Sequence, residues 1–299
     1  MTIAIYGKHI GDVYLSYLKK LISVFQKHGI KVICEEAFAH FLLEHMDYAP
    51  GFFRLFGKES LNSDEVSMLL SIGGDGTFLD SVEYVKDSGV PILGINMGRL
   101  GFLATIGADE VERAVEAIMT RQYVIQEREM LELKVNGESW PGFDYALNEI
   151  GILKVATSSL LKVHAYVKDV YLTTYWADGL IVATPTGSTA YSMSGGGPIV
   201  CPECRNLILT PICPHNLSIR PLVVPDDTEI TLQVESRTGD FVLSMDSRIR
   251  KMEETHNQLT ISTHTRKIRV IHLEGYNYYE TLRHKLMWGE DRRNVLNEK

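Results

Sequence analysis

Met68-Leu69-Leu70-Ser71-Ile72 is a short apolar run that leads straight into Gly73-Gly74-Asp75-Gly76-Thr77-Phe78-Leu79. A buried strand followed at once by glycines and then by a helical stretch is the turn at the carboxyl edge of a parallel sheet, where α/β folds bind ligands. Glycines there let the backbone approach phosphate oxygens, and the helix N-terminus adds N–H donors and positive potential. A turn that needed only unusual backbone angles would explain the glycines but not the acid between them. Gly73, Gly74, Gly76 and Thr77 are therefore candidates for phosphate binding, and Asp75 for chemistry.

The surroundings agree with such a sheet. Thr2–Tyr6, Ile30–Cys34, Met68–Ile72 and Val90–Ile95 read as buried strands, while Val13–His28 and Asp109–Thr120 read as helices. Alternation of this kind predicts an α/β N-terminal domain with a parallel sheet, placed over residues 1–122. Pro50, Gly51 and Gly57 mark Ala49–Ser63 as a loop. From about Tyr123 short strands follow one another: Glu132–Val135, Ala146–Val155, Leu161–Val167, Leu180–Ala183, Glu229–Glu235, Phe241–Met245, Gln258–Ser262 and Ile268–Leu273. This predicts a mostly β C-terminal domain over 123–276. The stretch 277–299, helical over Tyr278–Trp288, is expected to pack back on the first domain.

Charge narrows the partners. A net charge of −8 with no basic run excludes a chain that wraps nucleic acid or lies on an anionic membrane. No segment approaches the roughly 20 apolar residues of a membrane span. The opening Met1–Gly7 reads as a first strand rather than a signal peptide. Four cysteines among 299 residues are too few for a disulfide framework, so the expectation is a reduced, cytoplasmic protein. Cys201-x-x-Cys204 with Cys213 and His215 imitates a zinc spacing but is weak alone and is set aside, as are His164 and His284.

Phosphate must be met without a P-loop lysine. No G-x-x-x-x-G-K-[ST] occurs, since Gly57-Lys58 is followed by Glu59, and Leu79 stands where a dinucleotide fingerprint has its third glycine. Backbone amides, a metal ion or a few local cations must do that work. A second polar segment offers many small donors: Asp178-Gly179, the strand Leu180–Ala183, then Thr184-Pro185-Thr186-Gly187-Ser188-Thr189-Ala190-Tyr191-Ser192-Met193-Ser194-Gly195-Gly196-Gly197-Pro198.

Together, GGDGT and TPTGSTAYSMSGGGP resemble the NAD kinase family. Asn96-Met97-Gly98-Arg99-Leu100-Gly101-Phe102-Leu103, the pair Asn148-Glu149, and Pro211-Ile212-Cys213-Pro214-His215-Asn216-Leu217 through Arg220-Pro221-Leu222 resemble three further stretches of that family, in its order. GGDGT alone is shared with lipid kinases; the ordered set is specific. The resemblance implies an α/β domain and a β-rich domain with NAD bound between them. It implies transfer of the γ-phosphoryl group of ATP to the 2′-hydroxyl of the adenosine ribose of NAD, with Mg2+ or Mn2+ carried mainly by the triphosphate. It also implies a homodimer or homotetramer built through the β-rich domain. Carried over by residue, Asp75 is the acid beside the reactive ribose, with Gly76 in the same turn. Phe102 lies near the adenine, Asn148 and Glu149 hold NAD, and Asp178 binds the nicotinamide end. Thr186 and Thr189, Ala190, Tyr191, Ser192, Met193 and Ser194 line the dinucleotide site, with Asp246 as a neighbour.

Two positions depart from the family pattern. Trp176 stands where a basic or polar residue is common; an indole can stack on nicotinamide but cannot neutralise phosphate, which leaves NAD against NADH open. Asp246-Ser247-Arg248 replaces an Asp-Gly-Gln or Asp-Ser-Gln, and Arg248 reads either as a phosphate contact or as the partner of an acid. The competing functions are a lipid or sugar kinase of related architecture, which leaves TPTGSTAYS unexplained, and a dinucleotide-sensing module, which has no need of Asp75.

Overall fold

The computed structural model describes residues 1–46, 51–57, 61–98, 100–140, 142–155 and 160–288. The chain divides into two compact units, one of Met1–Glu127 resumed at Ile268, the other Arg128–Lys267.

The first unit opens with β1 (Thr2–Gly7), α1 (Asp12–Lys27), β2 (Lys31–Glu35), α2 (Glu36–His45) and β3 (Arg54–Phe56). It continues with β4 (Met68–Ile72), α3 (Asp75–Ser81), β5 (Ile92–Asn96), β6 (Ile106–Gly107), α4 (Val111–Thr120) and β7 (Tyr123–Arg128). Helix α1 buries Leu15, Leu18, Leu21, Ile22 and Phe25, the 3.6-residue stripe that its sequence carries. That stripe meets Ala114, Val115 and Ile118 of α4 and Ile3 and Ile5 of β1 in one core. Each large apolar side chain so buried contributes roughly 1.5–3 kcal/mol.

The second unit is all antiparallel. Its strands are β8 (Leu131–Val135), β9 (Glu138–Ser139), β10 (Tyr145–Ala146), β11 (Glu149–Lys154), β12 (Leu161–Val167), β13 (Val170–Ala177) and β14 (Gly179–Ala183). A short helix α5 (Tyr191–Ser194) precedes β15 (Asn206–Ile212), β16 (Leu222–Pro225), β17 (Ile230–Ser236), β18 (Asp240–Met245), β19 (Arg248–Glu253) and β20 (Gln258–Thr263). One sheet runs β10-β8-β20-β17-β12-β13 with β9 on β8; the other runs β16-β15-β14-β11-β18-β19. Leu133, Val163 and Leu232 of the former pack on Ile150, Leu180 and Leu243 of the latter, the interleaved core of a sandwich.

The chain then returns to the first unit as β21 (Ile268–Leu273) and α6 (Tyr278–Lys285). The first sheet has the order β3-β2-β1-β4-β5-β21-β7, with β6 on β5. Its pairs β2–β3, β1–β2, β1–β4, β4–β5, β5–β6 and β5–β21 are parallel. Ile268–Leu273, read from sequence with the β-rich half, is thus a strand of the α/β sheet. Lys285 of α6 donates to the Leu100 carbonyl, within the same unit.

Other boundaries differ for local reasons. Within Ala49–Ser63, residues 49–50 and 58–60 lie outside the described residues, and Arg54–Phe56 forms a strand on β2 rather than loop. The run Ala146–Val155 is broken at Leu147–Asn148, whose amides bond to a side chain instead of a strand. β13 and β19 are sheet edges with largely exposed residues, so neither shows the in–out alternation that marks a half-buried strand. β15 is hidden by Pro211 near its end.

Candidate functional site

In the first sheet, β2 and β3 extend from one side of β1, while β4 and β5 extend from the other. The break in direction between β1 and β4 is the place where open parallel sheets form a ligand crevice at the carboxyl ends. Gly7, at the end of β1, is paired with Ile72, at the end of β4, and the next residues are Lys8 and the glycine turn. Lys8 Nζ lies 2.5 Å from Asp80 Oδ2 on α3, which puts a cation at the crevice that no sequence motif marked.

Asp75 is the first residue of α3. Its Oδ2 accepts the Phe102 N–H at 2.8 Å, and its Oδ1 accepts Leu103 at 3.0 Å and Ala104 at 2.9 Å. Bonds to an ionised acceptor are roughly twice as strong as neutral ones, so this carboxylate fixes the loop 101–104 against the glycine turn. The approach is so close that a Cβ on Gly101 would stand 1.9 Å from Asp75 Oδ1. The loop is also held by the Asn96 amide, which donates to the Ala104 carbonyl at 3.4 Å. Phe102, expected near adenine, is half-buried and is the residue after Gly101 in this clamp. Arg99 lies outside the described residues. Gly73, Gly74, Gly76 and Thr77 form the turn and first residues of α3, as their sequence suggested.

The second unit gathers Asn148, Glu149, Thr186, Gly187 and Asp246 at one end of the six-stranded sheet, where Glu149 pairs with Ala183 and Ile150 with Met245. Asp246, at φ +52°, accepts Leu147 N–H at 2.8 Å, Asn148 N–H at 2.7 Å and Glu149 N–H at 3.3 Å. Thr184 Oγ1 donates to the Leu147 carbonyl at 2.7 Å and accepts the Gly187 N–H at 3.1 Å. A Cβ on Gly187 would stand 2.1 Å from the Asn148 carbonyl oxygen. The turn 147–149 is therefore gripped from both neighbouring strands.

Asn148 and Glu149 are each 8% exposed, and Asn148 Oδ1 and Glu149 Oε2 have no hydrogen-bond partner among the described residues. Buried acceptors left without partners are costly unless a ligand or water meets them. Burial, and then the negative charge of Asp246, push the Glu149 carboxyl up to about 8, opposed by the Tyr191 backbone N–H. Burial also raises Asp246, against the pull of its three amides and of Arg248. Perturbed carboxyls of this kind mark binding and reaction sites.

The remaining candidates divide. Thr186 and Thr189 form a 3-10 turn in which Thr189 Oγ1 donates to the Thr186 carbonyl at 3.3 Å. Ala190, Tyr191, Met193 and Ser194 follow in and before α5, with Tyr191 40% exposed. Ser192 is turned inward: fully buried, its hydroxyl lies 2.8 Å from Thr210 Oγ1. Arg248 acts on Asp246 through its charge, while its hydrogen bonds run to backbone. It donates to the Gly142 carbonyl at 3.2 Å and to the Tyr145 carbonyl, with its guanidinium 4.1 Å over the Tyr145 ring. Asp178 pairs with Lys154 at 2.5 Å, at the other end of β11 from Glu149. Asp178 lies at the level of Lys154, five residues of strand from Glu149, about 16 Å at the strand rise. Trp176 stands on the other sheet, half exposed, with Lys162 Nζ 4.8 Å over its ring. Within one chain, then, Trp176 and Asp178 are not brought to Asn148 and Glu149. The sequence reading missed the clamp roles of Gly101, Thr184 and Gly187; their signal was a motif position, which names a residue without saying what it touches.

Residues 3–123 match the family description "ATP-NAD kinase N-terminal domain", and residues 147–273 match "ATP-NAD kinase C-terminal domain". The chain is 42% identical over 296 residues to the NAD kinase of Flavobacterium psychrophilum, covering 98% of this chain and 100% of that one. It is 42% identical over 294 residues to the NAD kinase of Bacteroides fragilis, with the same coverage. Its fold is similar to that of yeast NADH kinase complexed with NADH, at a TM-score of 0.82 and 23% identity, over 100% of this chain and 90% of that one. It is also similar to an NAD kinase from Archaeoglobus fulgidus in complex with ATP, at a TM-score of 0.73 and 24% identity, over 96% and 99% of the two chains. With matches to both domains and full-length relatives at this identity, the chain belongs to the NAD kinase family.

Proposed function

We infer that this chain phosphorylates NAD with ATP, giving NADP and ADP. The bond from the adenosine-ribose 2′ oxygen to the γ-phosphorus forms as the bond from that phosphorus to the β–γ bridging oxygen breaks. The hydroxyl proton passes to Asp75. The observation that carries this reading is the Asp75 carboxylate, fixed by three amides at the sheet's crevice beside the glycine turn. Oδ2 accepts a single amide there, so it keeps a lone pair for the proton. Gly73, Gly74, Gly76, Thr77 and Lys8 then face phosphate, with Phe102 near the adenine. In the second unit, the unpartnered oxygens of Asn148 and Glu149 support a dinucleotide contact, with the Thr186–Ser194 segment beside them.

A divalent cation enters with the triphosphate. Among the described residues no group of three or more His, Cys, Asp or Glu side chains could hold an ion. Mg2+ or Mn2+ bound to ATP supplies charge neutralisation at the transferred group. Self-association as a homodimer or homotetramer is supported by β13, an edge strand with Val170, Tyr171 and Trp176 about half exposed or more. A cytoplasmic location is supported by four free cysteines. Among the described residues no helix is long and apolar enough to cross a membrane.

The test is NADP formation by the purified chain from NAD, ATP and Mg2+, with and without excess EDTA. Turnover that stops with EDTA is expected. Full turnover in EDTA removes the metal requirement, and NAD binding without NADP formation leaves a sensing module.

A further inference from the structure

Two carboxyls lie together at the end of the six-stranded sheet, and their surroundings are unequal. Asp246 accepts three backbone N–H groups, from Leu147, Asn148 and Glu149. Glu149 is buried, takes the Tyr191 backbone N–H, and has an Oε2 with no partner among the described residues. Amides directed at a carboxylate favour its ionised form, whereas burial beside a like charge favours the neutral form. When such a pair shares one proton, the proton belongs on the member with fewer donors, which is Glu149.

We propose that Asp246 is a positioning residue for dinucleotide binding: it pins the Leu147–Glu149 turn and makes the Glu149 carboxyl meet the ligand as a hydrogen-bond donor through Oε2. The proposal rests on the reading of this turn as part of the NAD site. The groups that face Glu149 are Asp246 from the β18–β19 turn and the Tyr191 amide from α5; Arg248 acts on Asp246, and Thr184 and Gly187, from the end of β14, carry no charge. A neutral carboxyl both donates and accepts, so it suits a ribose hydroxyl or a phosphate oxygen, where a carboxylate would only accept.

The direction with pH follows. Glu149 holds its proton up to about 8 in the free protein, so NAD should bind well below that value and more weakly as pH rises through it. Near pH 8, binding should draw a proton into the protein. Calorimetry of NAD binding in buffers of different ionisation enthalpy measures that uptake. In Asp246→Asn the neighbouring charge is gone, so Glu149 ionises at lower pH, the break in affinity moves acidward, and KM for NAD rises roughly tenfold or more at neutral pH while kcat changes less. In Glu149→Gln, which keeps a donor and cannot ionise, the profile is flat and no proton is taken up.

Wild-type binding without proton uptake, or a break that persists in Glu149→Gln, overturns the proposal while leaving the NAD site in place. Failure of the wild type to bind NAD at any pH overturns both. If Asp246→Asn does not fold, wild type and Glu149→Gln alone decide the matter, and a protonated-carboxyl infrared band that Glu149→Gln removes supports it.

Discussion

In the first unit the carboxylate of Asp75 gathers the amides of Phe102, Leu103 and Ala104, residues 27 to 29 further along the chain. In the second, the carboxylate of Asp246 gathers the amides of Leu147, Asn148 and Glu149, residues 97 to 99 earlier. Each clamp is backed by a glycine that a methyl group would displace, Gly101 in one and Gly187 in the other. The clamps differ in what they present. Asp75 stands at the start of a helix, and in the function proposed above it is itself the group offered to a substrate, so that its loop serves the acid. Asp246 stands behind the turn it holds, and the groups it would offer a ligand are Asn148 Oδ1 and Glu149 Oε2, which lack partners among the described residues. On that proposal the same three-amide arrangement supports a reacting group in one unit and a binding surface in the other.

That difference is breakable by kinetics. The largest effect belongs to Asp75→Asn, where kcat should fall roughly 10² or more while NAD affinity, measured by calorimetry, weakens less than about tenfold. A near-normal kcat would move the base elsewhere. Next comes Gly101→Ala. Its methyl must push Asp75 or the loop aside, and kcat should fall roughly tenfold to 10², since displacement of about 1 Å at a reacting group has that scale. Gly187→Ala presses on the Asn148 backbone, so KM for NAD should rise about tenfold with kcat within about threefold. A kcat loss as large as that of Gly101→Ala would erase the distinction between the clamps. The smallest change is expected for Trp176→Ala, outside both clamps: a few-fold shift at most in the ratio of kcat/KM for NAD and NADH. A wholly unchanged ratio places the indole away from any dinucleotide.

The glycine turn and its helix were legible because strand, turn and helix are local: Met68–Leu79 carries all three signals within a dozen residues. The sheet before it was legible from apolar runs. Asp246 was visible only as a motif position, because its partners are nearly a hundred residues away and spacing cannot show which amides a carboxylate meets. Arg248 was legible as a charge beside an acid, and it does act on Asp246, but its contacts with two carbonyls and a tyrosine ring depend on how the 142–145 turn folds. Ser192 had the chemistry of a ligand contact, but burial against Thr210 turned its hydroxyl inward. Trp176 lies on β13 and Asp178 is the joint before β14, where the chain changes sheets, so two residues near in sequence face different surroundings.

The position of β21 bears on how the chain is made. In the first sheet it fills the place between β5 and β7, which both precede the second unit in synthesis. Residues 128–267 are contiguous and can condense as they emerge, since domains fold largely as units during translation. The α/β sheet, by contrast, has its outer strand β7 ready and the slot beside β5 empty until Ile268–Leu273 leaves the ribosome. Its closure is a contact of long sequence separation, slow by its loop-closure entropy, and it comes last. A nascent chain halted before residue 268 would therefore carry a finished sandwich and an open sheet edge exposed to chaperones and to other copies of itself.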